Sequence, residues 1–124
     1  MDLFTLWLWP LVALFRHHDL RVAGYDPPMP TLRAVPTVKI DNDRVRVTEW
    51  RFAPGAATGP HRHEYAYVVV PMTTGTLASS GPAGDATAAL VTGEPYFRPA
   101  GVEHDVVNAN HYEFVFVEIE MKNG

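Results

Sequence analysis

Three histidines carry the most pointed chemistry in this sequence. His61 and His63 stand two apart at the start of HRHEYAYVVVP, residues 61–71, and His104 follows the turn residues Pro99, Ala100 and Gly101 in GEPYFRPAGVEHDVVN. Residues i and i+2 of a strand point to one side, so His61 and His63 can converge on one ion from one wall. His104, at the head of another β segment, offers a second wall. The chain has no cysteine, which excludes disulfides, thiolate metal sites and cysteine nucleophiles. Any ion must therefore be held by imidazole, carboxylate, phenol or carbonyl groups. Three imidazoles with open positions make a centre of the catalytic rather than the structural type, and such ligands suit Fe, Zn, Ni, Cu or Mn without choosing among them.

The same parity sorts the neighbours. In a regular strand Tyr65 and Tyr67 share the face of His61 and His63, while Glu64 and Ala66 point away, so Glu64 does not supply a fourth ligand. A bulge would reverse this for everything downstream. Tyr67 can bind metal as a phenolate, donate a hydrogen bond to a ligand, or act as a base whose pKa is lowered by an ion; the plainer alternative is an aromatic that fills the interior. Glu103 and Asp105 flank His104 on the opposite parity and read as solvated. Phe97, Phe114 and Phe116 read as core or interface residues. Arg62 has outward parity and Arg98 lies in a turn region, so no substrate-clamping arginine stands beside the histidines.

The elements that must position these groups are short and β-forming. VKI, RVRVTEWRF, YAYVVVP, TLASS, ATAALV, GEPYFRPAG, HDVVNA and YEFVFVEIEM are separated by Gly, Pro and Asn turns, and none carries a sustained helical stripe. An all-β sandwich or barrel follows. In RVRVTEWRF, Val45 and Val47 lie on one parity and Trp50 and Phe52 on the other, which predicts a bulge near Thr48 or a strand buried on both faces. In the last strand Val115, Val117 and Ile119 are expected to face the core, with Glu118 and Glu120 outside.

With 124 residues, 47% of them hydrophobic and 19% charged, the chain suits one packed domain. A net charge of −4 without a basic block excludes nucleic acid as the expected partner. Residues 1–30 divide from this pattern as an apolar extension and a proline-rich linker, leaving a domain over 31–124. MDLFTLWLWPLVALF carries Asp2 and no basic residue at its start, Pro10 interrupts it and it ends at Arg16, too short to span a bilayer and unlike a signal peptide. Packing on the domain or a partner subunit, or an incidental extension with Met29 as an alternative start, are the expectations for it. His17 and His18 read as a solvated flank, and a cytoplasmic location with no membrane partner is expected.

The two histidine segments resemble the cupin family. The first matches the motif G(x5)HxH(x3 or x4)E(x6)G at Gly55, His61, His63 and Gly75; the second matches G(x5)PxG(x2)H(x3)N at Gly93, Pro99, Gly101, His104 and Asn108. A two-part match is far more specific than an isolated HxH. The resemblance covers about residues 37 to 121, with the short inter-motif spacing of small single-domain cupins, and the wording of VRVTEWRFAPGAATGPHRHEYAYVVVP is most similar to small cupins linked to β-alanine degradation. It implies an RmlC-like jelly-roll barrel, a divalent metal ion held inside by His61, His63 and His104, and a homodimer. The departure is the motif glutamate, whose place at 67 or 68 holds Tyr67 and Val68. The function implied is a metal-dependent enzyme, of dioxygenase or related type, acting on a small polar carboxylate or amino-acid-derived metabolite. The alternative is a non-catalytic cupin that binds a small metabolite as a sensor or accessory subunit.

Overall fold

The computed structural model describes residues 31–123, and the expectations for residues 1–30 lie outside them. Nine strands follow one another in these residues: β1 (Val35–Asp41), β2 (Val45–Phe52), β3 (His61–Arg62), β4 (Ala66–Pro71), β5 (Gly75–Ser80), β6 (Ala86–Leu90), β7 (Tyr96–Arg98), β8 (Glu103–Asn108) and β9 (Phe114–Met121). They form a five-stranded sheet in the order β1-β2-β9-β4-β7 and a four-stranded sheet in the order β3-β8-β5-β6. Every strand pairing is antiparallel. Alternating apolar and polar residues suit a pleated surface with one buried face, and the all-β jelly roll expected from the sequence is the fold observed.

HRHEYAYVVVP is not one regular strand. β3 ends at Arg62 in the four-stranded sheet, and the chain turns a corner through residues 63–65 before β4 begins in the five-stranded sheet. His63 sits at that corner. Tyr67 nevertheless faces inward, and Val68 is only half-buried, so of the two residues at the motif-glutamate position it is Tyr67 that turns inward.

Cross-strand register arranges the inner face of the five-stranded sheet in rows. Arg46, Glu120, Tyr67 and Arg98 are neighbours across β2, β9, β4 and β7; the next row runs Thr48, Glu118, Val69, Tyr96, and the third Trp50, Phe116, Pro71. Phe52 and Phe114 close the far end, where both are fully buried. The interior thus grades from charged to aromatic. Phe52 lies 5.4 Å from Phe116 and 6.4 Å from Trp50, centroid to centroid, and with Leu77, Leu90 and Val106 they form the apolar end of the core. Burying each such side chain contributes about 1.5–3 kcal/mol.

One expectation is resolved here and one is corrected. β2 pairs with β9 without interruption from Val45 to Phe52 and is at least half-buried on both faces apart from Arg51, the second of the two alternatives; the irregularity lies in its other neighbour, β1, between Val38 and Ile40, opposite Thr48 and Val47. In β9 the prediction holds for Val115, which is buried, but not beyond it: Phe114, Phe116 and Glu118 are buried, while Val117 and Ile119 are only half-buried. The outer face is itself apolar along the row Ile40, Val47, Ile119, Val68 and Phe97, which is why hydrophobicity alone misassigned it.

Candidate metal centre

His61 and His104 stand directly opposite each other on β3 and β8. The turn before β8 is tied to the corner by two backbone bonds: the Gly101 N–H donates to the His63 carbonyl at 2.8 Å, and the His63 N–H donates to the Val102 carbonyl at 2.8 Å. Gly101 holds φ at 97°, a conformation that costs a side-chain-bearing residue and that lets the chain double back here. The result brings the three histidines together. His63 Nε2 lies 3.1 Å from His61 Nε2 and 3.1 Å from His104 Nε2, and one nitrogen from each ring falls within 4.8 Å of the others.

Tautomer decides what these nitrogens offer. His61 Nδ1 is 2.9 Å from the Gly59 carbonyl oxygen, which can only accept, so Nδ1 carries the proton and Nε2 presents a bare lone pair. His63 is buried, and desolvation followed by the neighbouring charges of His61 and His104 pulls its pKa down to about 4. Burial, then His61 and the Arg98 guanidinium, pull His104 down to about 4 as well. At neutral pH these two rings are neutral and His63 Nε2 can donate to only one of its two neighbours. Lone pairs that face one another at this spacing suit a shared cation. Nitrogens about 2.1 Å from an ion and about 95° apart stand ~3.1 Å from one another, so the donor set fits a divalent ion held by three imidazoles.

Tyr67 is 2% exposed and stacks on the His63 ring, centroids 3.8 Å apart and planes 18° from parallel. Burial, then the Glu118 and Tyr96 charges, push its pKa above the usual phenol range. In the metal-free chain it is therefore a protonated hydroxyl and an orienting wall for His63.

The carboxylate of this site is one the sequence reading placed outside. Glu118, 7% exposed, faces the cavity with its Oε2 3.9 Å from His63 Nδ1. Burial, then the like charge of Glu120, push its pKa up to about 7, against a smaller opposing hydrogen bond from the Trp50 indole. Parity with Phe114 and Phe116, both read as core candidates, was the signal that locates Glu118. Arg46 was also missed; it lines the cavity and pairs with Glu120 at 3.5 Å. Arg98 belongs to β7 rather than to a turn, with its guanidinium 4.7 Å above the Tyr96 ring. Glu64 is exposed, yet it stands at the rim of the histidine cavity and helps line it. Asp105 is half-buried and accepts from the Gly59 N–H at 3.0 Å rather than being simply solvated. The interior is not plugged: a cavity of about 310 Å³ is lined by the three histidines, Tyr67, Trp50 and Glu118 among others, while Phe97 is 57% exposed on the outer face.

The raised carboxyl makes a pH prediction. In metal-free protein Glu118 binds its proton more tightly folded than unfolded, so it costs stability fully above pH ~7 and not at all below pH ~4.5. Glu118→Gln should therefore raise the stability of the chelator-treated chain at pH 8 by about 2 kcal/mol, and leave it nearly unchanged at pH 4.5. His63 works in the other direction: held near 4 when folded, it costs stability as pH falls from 6.5 toward 4. His104, held near 4 as well, adds an equal cost, so the two histidines together outweigh Glu118: the wild type should lose stability with acidification and the variant should lose it more steeply. Denaturant melts across that range check both slopes.

No family model matches the chain. The β-alanine degradation protein BauB of Pseudomonas aeruginosa is 63% identical over 90 residues, covering 73% of this chain and 95% of that protein. The chain belongs to the BauB-like cupins. A crystal structure of a cupin domain from Bordetella pertussis matches 77% of this cupin and 99% of its own chain at 59% identity, with a TM-score of 0.75. A double-stranded β-helix protein from Klebsiella pneumoniae, 18% identical with a TM-score of 0.61 over 89% of this cupin and 90% of its own chain, shares the fold alone. Among the described residues of this cupin no helix is long and apolar enough to cross a membrane.

Proposed function

We propose that this cupin is a cytoplasmic, metal-dependent enzyme, dioxygenase-like or related, that acts on a small polar carboxylate or amino-acid-derived metabolite. The convergence of three imidazole nitrogens on one point inside a cavity carries the proposal. An ion held by His61, His63 and His104 supplies Lewis acidity and open positions for an anionic substrate and a small co-reactant such as dioxygen. The chain's own groups do the rest. The Gly59 carbonyl fixes the His61 tautomer, Tyr67 orients His63 and offers its hydroxyl proton to substrate, and Arg46 and Arg98 bring positive charge to the row at the charged end of the sheet. The relative's printed link to β-alanine degradation agrees with a small amino-acid-derived substrate.

Metal analysis tests this directly: protein purified without a chelating tag should carry about one divalent ion per chain, and a stoichiometrically metal-free preparation would sink the proposal. Oxygen consumption with candidate acids then separates a dioxygenase from other metal-assisted chemistry. We also propose a homodimer, supported by the apolar outer row in which Ile40 is 49% exposed; light scattering should give twice 13.8 kDa.

A further inference from the structure

The cavity contains a carboxylate that the metal centre does not consume. The His63 ring separates the two features: its Nε2 faces His61 and His104, and its Nδ1 faces Glu118. At 3.9 Å that last contact is beyond hydrogen-bond reach, so the Glu118 oxygens keep acceptor capacity. The guanidinium best placed to neutralise it is engaged elsewhere, since Arg46 lies 3.5 Å from both Glu120 and Asp41. Among the described residues no charged cation lies within ion-pair distance of Glu118: the His63 ring beside it is neutral at pH 7, and Arg46 acts on it only at longer range. Trp50, Tyr67 and Tyr96 line the same cavity. A buried carboxylate walled by aromatic rings recognises a cationic nitrogen, through charge-assisted hydrogen bonds and the negative faces of the rings. The histidine cluster has the opposite preference: three neutral ligands leave a divalent ion its full charge, which attracts an anionic group.

We infer that the cavity binds a small ω-amino acid as its zwitterion, with the carboxylate at the three-histidine centre and the ammonium group on Glu118. This rests on the metal-centre reading above and adds the end-to-end polarity of the substrate. A ligand of a few carbon atoms suits a cavity of about 310 Å³ that also holds an ion. Glu118 then acts as a specificity-determining residue. If its carboxylate served only to orient His63, its loss would weaken every ligand alike; as an ammonium acceptor it discriminates aminated from unaminated acids.

Titration calorimetry on the metal-loaded full chain tests this with two matched pairs, β-alanine against propionate and 4-aminobutanoate against butanoate. In the wild type at least one amino acid should bind 10-fold or more tighter than its unaminated partner. In Glu118→Gln that preference should fall below 3-fold, with metal content and propionate affinity unchanged within 2-fold and a cooperative thermal melt retained. Equal binding of aminated and unaminated acids by the wild type, no binding of any of the four, or a preference that survives the substitution would overturn the inference. Metal content measured on the same samples keeps the two readings apart: a metal-replete protein without amine preference defeats this inference alone, whereas a metal-free protein defeats the function it rests on.

Discussion

A His63→Ala chain is expected to bind its divalent ion at least 100-fold more weakly than the wild type, by competition with a chromophoric chelator at pH 7. His63 is the most deeply buried of the three, and its Nε2 lies 3.1 Å from the Nε2 of each of the other two. Changes to groups that merely support a ligand cost 10–100-fold, and removing a ligand with no replacement costs more. Glu118 cannot step in without moving past the space the ring occupied, and Tyr67, held protonated by burial, is a poor ligand. A loss below 10-fold would show that the ion sits elsewhere. Proton competition follows the same geometry. From the sequence alone, affinity should weaken below the ordinary imidazole value of about 6.5. Because burial already holds His63 and His104 near 4, these two rings need no deprotonation at pH 6, and their contribution to that loss should be displaced toward pH 4–5.

The ligand set was legible because it rests on local regularities: an i, i+2 pair, a Pro-x-Gly turn, and glycines at set distances. The fold class was legible from short β runs punctuated by turn residues. What failed was facing. In β9 Val117 and Ile119 alternate with Glu118 and Glu120, and the rule that apolar residues turn inward put Glu118 in solvent. The sheet has an apolar outer row as well, so both parities looked eligible for the core, and only the pairing of Phe114 with Phe52 fixes which one is inside. The corner at residues 63–65 was equally hidden, since a β-forming run continues through a switch of sheets. Tyr67 kept its predicted inward face even though the regular strand on which that parity depended does not exist. Arg46 and Arg98 escaped for a third reason: their nearness to the site comes from cross-strand register, which no single segment specifies.

Asn108→Ala is expected to destabilise the protein by about 3 kcal/mol, lowering the melting temperature by roughly 15 °C. Asn108 is 2% exposed and its amide is fully engaged. The two Nδ2 hydrogens serve three carbonyls, Tyr112 at 2.8 Å and the adjacent pair Phe52 at 3.1 Å and Ala53 at 3.3 Å, which share one of them, while Oδ1 accepts from Asn110 N at 2.9 Å and Asn110 Nδ2 at 2.8 Å. One side chain thus ties the end of β8 to the end of β2 and to the turn before β9. Alanine would strand several of these buried groups, each at about 1–3 kcal/mol before water or relaxation compensates. Asn108→Asp should also destabilise, because a carboxylate cannot donate to the three carbonyls and would bury a charge beside them. The structural reason for this asparagine at the end of the second histidine segment is therefore architectural. His104 lies four residues upstream on the same strand, so β8 is pinned at one end by Asn108 and at the other by the Gly101 turn. A melt within 3 °C of the wild type would overturn that account; in molecules that remain folded at low temperature, metal affinity should stay within 3-fold, since no atom of Asn108 reaches the imidazoles.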